Sequence, residues 1–398
     1  MKPMGVAVVG ASMRSTMVTG YLRDHPEAGH ICGMYDIISA RGEYLLKHYG
    51  HTNARIYDSL EQVVGDPDVG AVFVCTSDGE HVKPAVAALA AGKHVFCEKP
   101  MTITLEDADE LIAAARKSKA VFYLGMNLRH APVFDELHSL LESGKLGRLL
   151  AIEANEHYFG GRTYFRRWNR LRKYGGGLWI TKACHDFDLL NWFAGGKAKR
   201  VFGVSNLSYY KPNPRAGTHC RACNLKKECP DFFDVGDPKA PQWGEVNEVL
   251  GRLTEEATGV PRDLCLYNSD KDTFDNGIAV VEYDNDVRAT YTVSVVASYG
   301  TRQMRLTGTG GFAEGDLTAG IVKYWKRYEE GAEPEVIDLR EKMHSGHGGA
   351  DDNLLADFFE CCRTGKKPRS SWTDGRASVQ VGLAVRDSCD SGQAVSLE

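Results

Sequence analysis

Five short apolar runs, each followed by a stretch able to form a helix, fill the first 125 residues and leave few architectures open. Gly5-Val6-Ala7-Val8-Val9-Gly10 is the first, and helix-compatible sequence runs from Ser15 to Asp24. Ile31-Cys32-Gly33-Met34-Tyr35-Asp36 is the second and ends in a carboxylate. Ser39 can cap the next helix, which carries Tyr44-Leu45-Leu46 and stops near Gly50. Ala71 to Cys75 is the third run, and the helix after it has Pro84 near its first turn and Gly92 past its end. Val95-Phe96-Cys97 and Val121-Phe122-Tyr123-Leu124 complete the set. Runs that are apolar throughout belong to a parallel sheet covered on both faces. The expectation is therefore an α/β chain whose residues 1–125 form a doubly wound, Rossmann-type dinucleotide-binding sheet.

Within that frame the first turn is the place for a pyrophosphate. The usual G-x-G-x-x-G is reduced to Gly10-Ala11-Ser12-Met13-Arg14-Ser15, in which only the first glycine remains. Gly10 permits the tight turn, Ser12 offers a hydroxyl to a phosphate, and Met13 and Arg14 lead into the helix N-terminus. Asp36 ends the second strand, where an acid can bond both ribose hydroxyls of NAD and repel a 2′-phosphate. NAD is favoured over NADP on this ground; Arg41 nearby keeps NADP open.

The stretch Ala90 to Pro100 places Glu98-Lys99-Pro100 at the carboxyl end of the fourth strand, where ligands sit in such sheets. A lysine there, held before a proline, is a candidate proton-transfer group beside a nicotinamide. Together with Thr76-Ser77-Asp78, His81, Gly125, Asn127, Arg129 and the run Gly175 to Gly195, this stretch resembles the Gfo/Idh/MocA oxidoreductases (glucose–fructose oxidoreductase, inositol dehydrogenase and their kin), in a branch with a cysteine-rich insertion. The resemblance covers nearly the whole chain. It implies a second, α+β domain over 126–398 with a large, mostly antiparallel open sheet, pyridine-nucleotide redox chemistry on carbohydrates or cyclitols, and a homodimer or homotetramer. It also implies that Thr76, Ser77, His81, Glu98 and Asn127 help to hold the cofactor.

Lys182, His185, Asp186 and Leu189 recur at helical spacing and are expected on one face. A plain ion pair between Lys182 and Asp186 is the simplest use of that spacing. The family pattern places its catalytic histidine at His185 and often an aspartate four residues earlier, where this chain has Thr181; Lys182 is then the replacement polar group. The expected chemistry is hydride transfer, with Lys99 and His185, and Lys182 beside them, handling the proton. Arg162 to Lys173 reads RTYFRRWNRLRK, six basic residues in twelve with no acid. Tyr164, Arg166 and Trp168 from this run, with Arg129, Lys182, Asp186 and His347, are the candidate substrate contacts, suited to an anionic sugar. Nucleic acid is excluded by a net charge of −5 and the lack of a matching fold.

Eleven cysteines, an odd number scattered along the chain, argue against a disulfide framework. Cys220, Cys223 and Cys229, with Cys265 after them, have spacing suited to tetrahedral zinc or, second, an iron–sulfur cluster, inside an insertion at about 206–275. Gly5 to Val9 is too short for a signal-peptide core and no run reaches membrane-spanning length, so a cytoplasmic protein without a membrane partner is expected. Further on, Gly277–Tyr283, Val287–Ser298 and Met304–Gly310 read as strands, Asn353–Cys362 and Gly375–Ser388 as helices. Two other uses of the same residues remain open: an NAD-dependent glycosidase working by transient oxidation, elimination, hydration and re-reduction, and a non-catalytic nucleotide-binding sensor.

Overall fold

The structure, a computed structural model, describes residues 3–236, 244–329, 331–344 and 346–397. Its first sheet has six parallel strands: β1 (Met4–Val9), β2 (Gly29–Tyr35), β3 (Arg55–Ile56), β4 (Ala71–Val74), β5 (His94–Cys97) and β6 (Phe122–Leu124). Their order is β3-β2-β1-β4-β5-β6, the doubly wound arrangement expected. The apolar runs become strands because both faces are covered, and β1 and β4 are buried nearly end to end. The two-residue strand β3 and the helices Leu60–Gly65 and Leu105–Lys117 complete the alternation where the sequence reading named no element.

One face of this sheet is closed from far along the chain. The helix Gly346–Thr364 lays Leu354, Leu355, Phe358 and Phe359 on Phe73 and Phe96, all essentially fully buried. Phe358 meets both rings edge-on, with centroids 5.0 and 5.6 Å apart. Burying each such side chain contributes about 1.5–3 kcal/mol, so this helix is fastened to the nucleotide-binding sheet, and its N-terminus is brought to the sheet's carboxyl edge.

The second sheet has nine strands: β7 (Leu149–His157), β8 (Ala198–Asn206), β9 (Asn276–Tyr283), β10 (Arg288–Ser294), β11 (Thr301–Gly308), β12 (Gly311–Asp316), β13 (Ile321–Lys326), β14 (Glu335–Asp338) and β15 (Val395–Ser396). They are ordered β14-β13-β12-β11-β7-β10-β9-β8-β15, with only β7 and β10 parallel. The helices Pro132–Glu142, Cys184–Ala194 and Trp372–Ser391 cover one face. Burial alternates along β9, β10 and β12, as a sheet with one covered face requires. Phe202, Val204, Ile278 and Val280 stand exposed on the other face.

The helix that the 182–189 spacing predicts begins only at Cys184. Gly176 and Gly177 take φ of +72° and +84°, a short turn spans Leu178–Thr181, and the next helix starts at Cys184. Lys182 lies between the two, so the expected shared face is not formed. Among the described residues no helix is long and apolar enough to cross a membrane.

An antiparallel bridge between His219 and Leu264 joins two segments of the insertion, with Cys220 opposite Asp263 and Cys265 opposite Thr218. Among the described residues, however, no three His, Cys, Asp or Glu side chains are arranged to hold a metal ion, so the zinc reading of Cys220, Cys223, Cys229 and Cys265 finds no support. All four thiols are free. Polar bonds do the stapling instead. Asp263 receives Arg221 through both backbone and side chain at 2.7 and 2.9 Å, Asn268 bonds the carbonyls of Asn213 and Ala216, and Asp275 receives the amides of Ser208, Tyr209 and Tyr210.

Candidate active site

At the carboxyl edge of the first sheet, β1 ends in Gly10 with φ of +96°. A Cβ there would come within 2.6 Å of the Cys75 carbonyl and 2.7 Å of the Thr76 nitrogen, so only glycine fits between the ends of β1 and β4. Ser12 receives the Arg14 amide at 3.2 Å and gives its own amide to Ser15, which fixes the turn into the helix Ser15–Asp24. Met13 is half-buried beside them. Asp36, at the end of β2, receives the Ala11 amide at 2.7 Å and the Ile38 amide at 2.8 Å. Its carboxylate is thus held against the turn by two amides while two oxygens retain lone pairs for ribose hydroxyls. Arg41 stands 3.8 Å away. Thr76 bonds the Glu80 carbonyl, and Ser77 is half-buried in the same loop. His81 gives Nδ1–H to the Pro100 carbonyl at 2.8 Å, which leaves Nε2 buried without a partner among the described residues; burial lowers its pKa.

A cluster of charges closes the edge. Glu98 receives Arg14 Nε at 2.8 Å and the Lys99 amide at 3.2 Å. Asp351 receives Asn127 Nδ2 at 2.7 Å and His347 Nδ1 at 3.0 Å, and Arg14 reaches it at 3.4 Å. Burial alone would raise the Asp351 carboxyl, but Arg14, His347 and Asn127 outweigh it and hold it below the ordinary carboxylate range. Arg14 therefore serves to bridge the sheet edge to the helix Gly346–Thr364, with its guanidinium turned onto two acids. The Asn127 carbonyl oxygen is buried with no partner among the described residues.

Lys99 reaches across to the second module. Its Nζ donates to the Thr181 carbonyl at 3.0 Å, which sets the amine beside the start of the helix carrying His185. Asp78 lies in the same corner, near the Thr181 side chain, 7% exposed and with Oδ2 lacking a partner among the described residues. Burial pushes its pKa up to about 7, against the lowering by Lys99. His185 is 4% exposed, its Nδ1 is unpartnered among the described residues, and its ring centroid is 6.3 Å from that of His347. Burial first, then the charges of Lys99, Arg302, His347 and Lys182, hold His185 well below the ordinary histidine pKa, so it is neutral at physiological pH.

Beneath this corner lies a paired seam. Glu156 on β7 and Arg302 on β11 are direct cross-strand partners and form an ion pair. Arg302 also holds Asp186 at 2.8 Å, and the Tyr291 hydroxyl from β10 donates to the same carboxyl at 2.8 Å. Lys182 bonds Glu156 at 2.6 Å, so the expected Lys182–Asp186 pair is replaced by two separate ones. Burial lowers the Lys182 pKa against the opposing pull of Glu156.

Several expected substrate contacts are otherwise engaged. Arg129 is clamped by Asp188 at 2.8 and 2.7 Å and by the Arg369 carbonyl, so it ties helices together instead of facing a ligand. Arg166 turns into the insertion, donating to the Leu264 and Asp231 carbonyls and to the Cys220 sulfur. Asp186 is taken by Arg302 and Tyr291. Tyr164 is buried, Trp168 is exposed, and His347 stands exposed at the rim with φ of +52°. Asp78, Asp351, Glu156 and Arg302 were not among the expected site residues. Asp78 lies in the Thr76-Ser77-Asp78 motif and Asp351 four residues after His347; the last two sit on strands with no local signature.

The glycine-only turn, the amide-held Asp36 and the unpartnered buried atoms of His81 and Asn127 fit a dinucleotide along this edge. Residues 4–126 match an oxidoreductase family's NAD-binding Rossmann fold, and residues 138–397 match that family's C-terminal alpha/beta domain. The oxidoreductase YteT of Bacillus subtilis is 29% identical over 336 residues, 79% of this chain and 77% of that one. Myo-inositol 2-dehydrogenase of Thermotoga maritima is 31% identical over 165 residues; the match spans 41% of this chain and about half, 47%, of that protein. A levoglucosan dehydrogenase solved with NADH and levoglucosan superposes over 99% of both chains with a TM-score of 0.76 at 16% identity. The protein belongs to the Gfo/Idh/MocA family of NAD-binding oxidoreductases.

Proposed function

We propose that this chain is an NAD-dependent dehydrogenase acting on a hydroxyl of a carbohydrate or cyclitol. The observation that carries the reading is the 3.0 Å bond from Lys99 to the Thr181 carbonyl, which joins the nucleotide-binding edge to the segment presenting His185. Bound NAD would supply the hydride acceptor. His185, kept neutral, takes the hydroxyl proton of the substrate, and Lys99 orients that hydroxyl and shares the proton. Lys182, half-covered by the Tyr158 ring at 4.4 Å, adds a positive field to the same wall. Gly10, Ser12, Met13 and Asp36 hold the adenosine and pyrophosphate end; Thr76, Ser77, His81, Glu98 and Asn127 hold the nicotinamide end. Asp36 disfavours a 2′-phosphate, so NAD is preferred to NADP. The inositol and levoglucosan dehydrogenases among its relatives support a polyhydroxylated substrate.

The test is a screen of sugars, sugar acids, inositols and aryl glycosides with NAD or NADP, following NADH and aglycone together. NAD-linked NADH formation is expected, and Lys99→Met and His185→Ala should each lower kcat/KM by about 10²–10⁴-fold. Retained turnover in both variants would overturn the assignment, and aglycone release without net NADH would identify a glycosidase instead.

A further inference from the structure

We propose that Asp78 is the proton store of this site: it receives, beside Lys99 and Thr181, the proton that the substrate hydroxyl releases. The inference rests on the dehydrogenase reading above and deepens it.

His185 and Lys99 can only pass a proton on; in a covered cleft it needs a nearby base that can hold it. Asp78 is placed to be that base. Thr181 accepts Lys99 Nζ on its carbonyl at 3.0 Å, and the Asp78 carboxyl lies close to both the Thr181 side chain and Lys99. The carboxyl comes from the loop after β4, in the nucleotide-binding module, and Thr181 from the second module. The second oxygen, Oδ2, is buried with no partner among the described residues. A buried, half-satisfied carboxyl is costly unless it can be protonated, and Lys99 is the nearby cation that bears on it. The other groups bearing on Asp78 are Glu98 from the end of β5, the Cys184 thiol from the helix Cys184–Ala194, and the Tyr164 phenol. Of these, Cys184 and Tyr164 are held neutral by burial, and Glu98 is engaged with Arg14. Lys99 is the one cation among them.

The step balances simply. The carbinol O–H breaks and its proton moves through His185 or Lys99 to the Asp78 carboxylate, which becomes a neutral acid. The carbinol C–H pair leaves as hydride to NAD, the oxidant. Reduction runs the same path backwards. Because Asp78 must start ionised in the oxidising direction, kcat should rise with pH through its titration, near neutrality.

Two measurements test this. The first is the pH profile of kcat and KM for wild type, Asp78→Asn and Thr181→Val with a substrate found in the screen. Asp78→Asn should lose the rise near neutrality and fall about tenfold or more in kcat at pH 8, with KM within about twofold. Thr181→Val should displace the same limb. The second is carbon-13 NMR of the NAD-loaded protein labelled at its aspartate carboxyls. A resonance titrating near neutrality should be missing in Asp78→Asn, with that of Asp186, pushed up to about 6 by burial, still present. An unchanged kcat profile in a folded Asp78→Asn protein, or an Asp78 resonance titrating in the ordinary carboxylate range, would overturn the relay and leave the dehydrogenase reading standing. Absence of NADH formation by wild type with every compound would sink that reading instead, and with it the relay.

Discussion

Two groups of buried charge lie within a few residues of each other, and they are built on opposite rules. In the seam of Lys182, Glu156, Arg302, Asp186 and Tyr291, every charge faces an opposite one, and the central Glu156–Arg302 pair is fixed by strand register. In the corner of Asp78, Lys99 and His185, Lys99 Nζ bonds the Thr181 carbonyl, and Asp78 Oδ2 and His185 Nδ1 are left unbonded among the described residues. In a satisfied buried network, removing any one charge strands its neighbours. An under-satisfied one can accept or release a proton at little further cost, which is what a site of acid–base chemistry needs. The seam is thus the scaffold on which the corner does its work.

The comparison breaks most visibly at Arg302. Arg302→Leu leaves Glu156 and Asp186 buried without their shared counter-charge, and a loss of about 3–5 kcal/mol in urea unfolding is expected. A loss below about 1 kcal/mol would mean that the seam carries no more than a surface pair does.

Asp78→Asn should act in the opposite direction, and only at higher pH. The carboxyl ordinarily titrates at 3.8 and here at about 7. Between those values the folded chain keeps a proton that the unfolded chain has released, so stability falls as pH rises through that window and levels off above it. The asparagine variant lacks this loss. Relative to wild type it should gain stability on the order of 3 kcal/mol between pH 4 and pH 8, most of it spread over the window. Equal pH dependence of the two unfolding curves would show that Asp78 is well satisfied when charged, and the contrast between corner and seam would vanish.

These two groups also mark how far the amino-acid sequence could be read. The strands of the first sheet are local: Val6 to Val9 or Ala71 to Val74 are apolar on both faces and could be buried nowhere else, so the sheet and its carboxyl-edge residues Gly10, Asp36 and Lys99 follow from short stretches. The seam is made by register. Glu156 and Arg302 lie 146 residues apart and meet because β7 and β11 pair in one particular alignment, which neither strand announces alone. Helical spacing joined Lys182 to Asp186, but the turn ends at Thr181 and the helix starts at Cys184, so Lys182 lies outside it. Arg129 and Arg166 read as ligand contacts because an unpaired arginine looks free until its acids or carbonyls, from Asp188 to Leu264, are brought alongside. Spacing suited to zinc at Cys220 to Cys265 says that thiols can approach, and the polar bonds of Asp263 and Asn268 show another way to close the same loop.

The smallest expected stability effect is the sharpest separation of scaffold from chemistry. Lys99 is half-buried, and its amine makes one hydrogen bond, to a backbone carbonyl. Methionine keeps the length and apolar body of that side chain and removes the charge. The Thr181 carbonyl then loses one donor, and Asp78 loses a nearby cation that it can do without once protonated. Lys99→Met should therefore unfold within about 1 kcal/mol of wild type at pH 6, since a single hydrogen bond contributes about that much, while its turnover falls by orders of magnitude. Above pH 7, where Asp78 must ionise without its cation, the stability gap should widen. A variant that is as unstable at pH 6 as Arg302→Leu would place Lys99 in the scaffold with the seam, and the division between the two groups would have to be redrawn around Asp78 and His185 alone.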